Sequence, residues 1–156
     1  MKRLLLGFLT ICLLSCGASK TVRDSRKIIK GNWTLDKVTS SVIGELKITL
    51  LNDASKACFE GSSWQFIPNN NTGNYTLSGA DCDGVQRYFV FTIDEIDEVT
   101  GLYDFLLKPT DQRGKSETNR GFRLSLTSLT DTSMQWEQTV SLEGKPVTLK
   151  MNFYKQ

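Results

Sequence analysis

The chain has 156 residues, 39% of them hydrophobic and 23% charged, enough for one globular domain with a short appendage and too rich in apolar residues for a disordered tail. Its formal charge is +2, and once Lys2 and Arg3 are set aside 17 basic residues face 17 acidic ones, a balance that argues against nucleic acid as a partner. No histidine is present, so Ser/His/Asp and Cys/His catalysis and every His-ligated metal site are excluded, and neither an enzymatic activity nor a cofactor is expected.

Residues 1–15 read as an export signal: Lys2 and Arg3 form a charged start and Leu4 to Leu14 an apolar run. These eleven residues fall short of the ~20 that a membrane-spanning helix needs. The sequence that follows, Leu13-Leu14-Ser15-Cys16, resembles the bacterial lipobox. The resemblance implies cleavage before Cys16, a diacylglyceryl thioether on its sulfur and an N-terminal acyl chain such as palmitate; an ordinary secretory signal with an incidental cysteine is the alternative. Stable anchoring requires more than one acyl chain, so the mature protein is expected to stay on a lipid membrane. By analogy with lipoprotein sorting, Gly17 in place of an aspartate favours the outer membrane, facing the periplasm.

Residues 16–30 read as a lipidated tether. Lys20, Arg23, Arg26, Lys27 and Lys30 stand there against the single acid Asp24, a composition that suits either a solvated linker or contact with anionic head groups. Ile28 and Ile29 mark the approach to a domain spanning 31–156. With Cys12 removed and Cys16 acylated, Cys58 and Cys82 remain, and two cysteines in an oxidising compartment read as one structural disulfide. A metal site there lacks ligands, since two thiols with Asp81 and Asp83 do not make the usual tetrahedral set.

From Gly31 onward the apolar residues recur with a period of two, and no window offers a long amphipathic helix. Val147, Leu149, Met151 and Phe153 alternate with polar residues, as do Met134, Trp136, Gln138, Val140 and Leu142, then Phe122, Leu124 and Leu126, and Phe89, Phe91 and Ile93. Asn69 to Gly73 and Glu143-Gly144-Lys145-Pro146 read as hairpin turns. Strands are predicted at 31–40, 44–51, 62–67, 74–79, 86–95, 102–108, 119–129, 133–142 and 146–155, with loops at 52–61 and 109–118. The fold class is all-β: an antiparallel up-and-down meander of about eight strands that removes its edges by closing into a barrel, with a two-sheet β-sandwich as the runner-up.

Lys30-Gly31-Asn32-Trp33-Thr34-Leu35 resembles the Gly-x-Trp opening of the lipocalins. The stretch from Ala57 through Cys58, Trp64-Gln65-Phe66 and Asn69-Asn70-Asn71-Thr72-Gly73 to Thr76 is similar to the lipocalin-like domain of small lipoproteins from Bacteroidetes-type bacteria, and the likeness extends over roughly Gly31 to Tyr154. It implies a small calycin-like barrel in the cell envelope that binds a small hydrophobic molecule, with Gly31 and Trp33 as a structural motif closing one barrel end. The inward stripes then supply the candidate ligand-binding interior: Phe66, Tyr75, Phe89, Phe91, Phe105, Phe122, Leu124, Leu126, Trp136, Gln138, Val140, Met151 and Phe153. Gln138 and Tyr75 are the polar groups that would orient a ligand. An eight-stranded barrel has room for one small ligand or for its own side chains, so a solid core is an equal reading, with loops 52–61 and 109–118 then serving as a protein-interaction or inhibitor surface.

Three further constellations carry weaker expectations. The acidic run Asp94, Glu95, Asp97 and Glu98 lacks the spacing of a calcium loop and reads as a solvated hairpin tip. Glu60 with Asp104, or Glu137 with Asp131, would be carboxylate pairs for glycoside hydrolysis, and nothing in their spacing singles them out. Lys108, Arg113, Lys115, Arg120 and Arg123 form a basic cluster, solvated by default or else a partner surface.

Overall fold

The alternation of apolar and polar residues organises the whole molecule, because each strand so patterned has one face to bury and two edges to pair. The computed structural model describes residues 20–42, 48–94, 96–97 and 99–156. The signal sequence, Cys16, residues 43–47, Glu95 and Glu98 lie outside the described residues. In chain order the elements are α1 (Lys20–Ile29), β1 (Gly31–Ser40), β2 (Thr49–Leu50), β3 (Ala54–Ser55), α2 (Lys56–Phe59), β4 (Ser63–Ile67), β5 (Thr72–Thr76), β6 (Gln86–Asp94), β7 (Asp104–Thr110), β8 (Phe122–Leu129), β9 (Ser133–Leu142) and β10 (Lys145–Lys155).

Eight strands form a closed antiparallel barrel in the order β1-β10-β9-β8-β7-β6-β5-β4. From β4 to β10 each strand pairs with the next in sequence, and closure comes from β1, which pairs with β10 on one side and β4 on the other. The up-and-down barrel is therefore the architecture, and the sandwich is not. The register shifts at two places, between Leu35 and Lys37 in β1 and between Leu126 and Ser128 in β8; such bulges increase local bend and twist and so help a short sheet to close. The last hairpin turns through Glu143 and Gly144, both at positive φ (51° and 77°), the geometry of a two-residue turn that matches strand twist and that glycine adopts without a Cβ penalty.

Three expectations about chain segments differ from the structure, the first being that 52–61, read as a loop, holds β3 and the one-turn helix α2. Segment 44–51 is not a barrel strand: of its described part only Thr49–Leu50 is extended, pairing with β3 in a separate two-stranded sheet. In its described part Ile48 and Leu50 turn toward the core and Thr49 away from it, which accounts for the alternation there, and Leu51 packs into the core with Phe59 of α2, so that this part of the β1–β4 connection borders one barrel end. Within the stretch read as a tether, Lys20–Ile29 is helical, with Val22, Ser25 and Ile29 buried. This helix lies across the opposite end. Its Ile29 carbonyl accepts a hydrogen bond from Trp33 Nε1 at 2.9 Å, its Arg26 donates to Asn71 Oδ1 in the β4–β5 turn at 3.1 Å, and its Ile28 carbonyl accepts from Lys155 Nζ.

The barrel thus has a closed end under α1 and a mouth bordered by the β1–β4 connection, the β5–β6 loop and the β7–β8 loop. A disulfide between Cys58 of α2 and Cys82 of the β5–β6 loop, with Cα atoms 5.7 Å apart, ties two of these borders together.

Candidate functional site

The interior is built around Trp64. Its ring stacks on Tyr75 at 4.4 Å between centroids and meets Trp136 and Phe153 edge-on at 5.7 and 5.6 Å. Phe66 lies 5.5 Å from Phe89, 5.8 Å from Phe91 and 5.6 Å from Trp136, and Phe91 stacks on Phe105 at 4.9 Å. Offset and edge-to-face contacts of this kind are worth about 0.5–1.5 kcal/mol each beyond simple burial. Leu124, Leu126 and Met151 are buried in the same cluster, while Phe122 and Val140 are partly buried and pack against it. Most of the rings expected to line a ligand pocket therefore fill the barrel with one another.

Among the described residues, two polar groups on the inner face of β9 have no hydrogen-bond partner. Trp136 and Gln138 occupy successive inward positions of β9, and neither the Trp136 Nε1–H donor nor the Gln138 Oε1 acceptor makes a hydrogen bond. Buried polar atoms are nearly always satisfied in folded proteins, so this donor and acceptor invite a small polar group.

At the mouth lies a cleft of about 640 Å3, within the range of small-molecule sites. It is lined by Leu51, Asn52 and Asp53 of the β2–β3 turn, Tyr75, Gln86 to Tyr88 of β6, Pro109 to Gln112, and Thr118, Arg120 and Phe122. One wall is a polar clamp. Asp53 accepts a hydrogen bond from the Tyr75 hydroxyl at 2.8 Å and an ion pair from Arg87 Nε, whose two Nη atoms reach the carboxylate oxygens of Asp83 at 2.8 and 3.0 Å. Burial, reinforced by the Asp53 carboxylate, pushes the Tyr75 phenol well above its ordinary pKa. The hydrogen bond to Asp83 holds Arg87 charged, and Arg87 in turn holds the Asp83 carboxyl below its usual range. Arg87 is thus occupied by two carboxylates and fixes the mouth; the facing wall of Pro109 and Phe122 is apolar, and Arg120 stands at its rim.

Of the residues singled out from sequence, Tyr75, Phe122 and Arg120 reach this cleft, together with parts of the loops 52–61 and 109–118. Trp64 belongs to the same inward stripe as Phe66, and Arg87 continues the stripe of Phe89 and Phe91 and pairs across the sheet with Tyr75, so both were legible by adding one step of two residues; Asp53 carries no periodic signal, because it reaches them from the β2–β3 turn. The basic cluster is dispersed: Arg123 pairs with Asp94 and Asp104 at 3.6 and 3.0 Å, and Lys108 donates to Asn119. The carboxylate pairs do not assemble. Glu60 accepts the Val38 amide at 2.9 Å beside the mouth, whereas Asp104 binds Arg123 and Ser125 at the α1 end. Glu137 is held by Lys150 at 2.8 Å. Asp97 accepts the backbone N–H groups of Val99 and Thr100, forming a turn. Compared with models of protein families and with curated proteins, the chain matches none.

Proposed function

We propose that the protein is an envelope lipoprotein, anchored through an acylated Cys16 at the outer membrane and facing the periplasm, whose lipocalin-like barrel binds a small, largely apolar molecule. The observation that carries this reading is the cleft at the mouth, with its apolar wall of Pro109 and Phe122. Burial of a ligand there contributes about 25 cal/mol per Å2 of apolar surface removed from water. The lipocalin likeness rests on Gly31 and Trp33, which stand at the start of the first barrel strand. No covalent chemistry is assigned to the site.

The filled interior favours a second reading, in which the barrel is a solid scaffold and the loops bordering the cleft receive a segment of another protein. One experiment separates the two. Membranes carrying the full-length protein are exposed to a palmitate analogue with a photoreactive diazirine and an alkyne handle, irradiated, and the labelled peptides mapped. The small-molecule reading expects labels on the peptides containing Gln86 to Tyr88 and Pro109 to Phe122, lost when unlabelled palmitate competes. Labelling that is absent, or equal over the whole outer surface, overturns it and leaves the loop-docking reading.

A further inference from the structure

Helix α1 has two faces. Val22, Ser25 and Ile29 are turned into the barrel, while Lys20, Arg23 and Lys27 are exposed, and Lys30 follows exposed at the helix end. At 100° per residue the three helical cations fall within an arc of about 60°, on the side away from the buried face. Asp24, hydrogen-bonded to Lys27 at 3.0 Å, is the one acid on the helix, and Arg26 is turned aside to Asn71. Even with Arg23 counted as engaged, Lys20, Lys27 and Lys30 against Asp24 leave the stripe net positive and directed outward from the closed end of the barrel. The same end also carries Asp97 of the β6–β7 loop, whose charged carboxylate accepts the Val99 and Thr100 amides, Asp94 and Asp104, which share Arg123, and the exposed Asp131 of the β8–β9 turn, so the positive charge is concentrated on the helix stripe and does not extend over the whole end.

The helix begins four residues after Cys16. Even fully extended, four residues span only ~14 Å, little more than the screening length of about 8–10 Å at physiological salt. An acylated Cys16 would thus hold the stripe where the field of an anionic leaflet is felt. We propose that the exposed face of α1 lies on anionic phospholipid head groups of the membrane that carries the anchor, setting the barrel with its closed end down and its mouth directed away from the bilayer. This rests on the lipoprotein reading of Cys16 and adds to it an orientation and a lipid preference.

The test uses the full acylated protein reconstituted on vesicles of phosphatidylcholine alone or with a third of phosphatidylglycerol. Lysines are modified with an amine-reactive reagent and quantified by mass spectrometry. Head-group contact predicts that labelling of Lys20, Lys27 and Lys30 falls roughly fivefold on anionic vesicles, that labelling of Lys115 and Lys145 at the mouth is unchanged, and that 0.5 M salt abolishes the difference. In a Lys27→Gln, Lys30→Gln variant the protection of Lys20 should shrink. Equal labelling of all lysines on both vesicle types, in protein that floats with both, overturns the orientation and spares the anchor. Protein that floats with neither overturns the anchor and the orientation with it; flotation with anionic vesicles alone overturns the anchor and supports the stripe.

Discussion

The Nζ of Lys155, at the end of the last strand, sits 5.2 Å from the centre of the Trp33 ring on the first strand and also donates to the carbonyl of Ile28. Trp33 in turn donates its indole N–H to Ile29. Three elements that are remote in sequence, α1, β1 and β10, are thereby fastened at the seam where the barrel closes.

Lys155→Met keeps the aliphatic stem and removes the charge, and is expected to cost about 1–2 kcal/mol through the lost cation–π contact and hydrogen bond. Trp33→Phe leaves the Ile29 carbonyl without its donor and should cost about 2–3 kcal/mol. Denaturant unfolding of both variants and their combination should give a coupling of at least ~0.5 kcal/mol; strict additivity would mean that the two side chains do not act together.

Gly73 is the position in the barrel wall least able to accept a side chain. A Cβ there would stand 2.3 Å from the Phe89 ring and 2.5 Å from the backbone oxygen of Gln65. Gly73→Ala should destabilise by about 2–3 kcal/mol. Shortening the ring in a Gly73→Ala, Phe89→Leu double variant should not recover this, because the Gln65 carbonyl is fixed by the sheet. Recovery to the stability of Phe89→Leu alone would show that the ring, not the backbone, sets the limit.

The Cys58–Cys82 bond closes a loop with a sequence separation of 24, and removing it by a double serine substitution should cost about 3 kcal/mol in the chain-entropy model. The loss should be local as well as global. Amide exchange should quicken in 50–60 and 78–85, around the mouth, while β9 and β10 keep their protection. Unchanged unfolding midpoints with and without dithiothreitol would count against a structural disulfide.

Burial raises the phenol pKa of both Tyr75 and Tyr103 above the ordinary value of 10.0. Since the unfolded chain ionises near 10 and the folded one does not, the folded state binds more protons above that pH. Its stability should be fully present below pH 10 and fall as pH rises beyond it. Urea midpoints between pH 8 and 11 measure the effect, and Tyr75→Phe with Tyr103→Phe should flatten the curve. A midpoint independent of pH across that range would show that both phenols are exposed.

How much of this could be read beforehand differs from element to element. β6, β9 and β10 were legible because each has a buried inner face and an outer face in water, so the side-chain period itself is written in the residues. Segment 44–51 has the same alternation through Leu46, Ile48 and Leu50, yet its described part lies over the mouth: period two reports one-sided burial, not membership of the barrel. Helix α1 offers only Val22, Ile28 and Ile29 as apolar residues among many polar ones, too few to set a helical period without knowledge of the surface they meet. The cleft was least legible, because Asp53, Tyr75, Arg87 and Phe122 come from four segments brought together by closure.

Closure has a consequence for life at high surface density. A membrane tether of the kind proposed would concentrate copies in two dimensions, where unpaired strands of neighbouring molecules could zip together. Each of the eight barrel strands has a neighbour on both sides, so none is open along its whole length; β9 runs past its pairing with β8 at Glu137, and residues 138–142 are paired on the β10 side alone, while the small β2–β3 ribbon has only two residues in each strand. Crowding on a bilayer would therefore meet only a short unpaired stretch at the mouth of the barrel, not a full-length open edge.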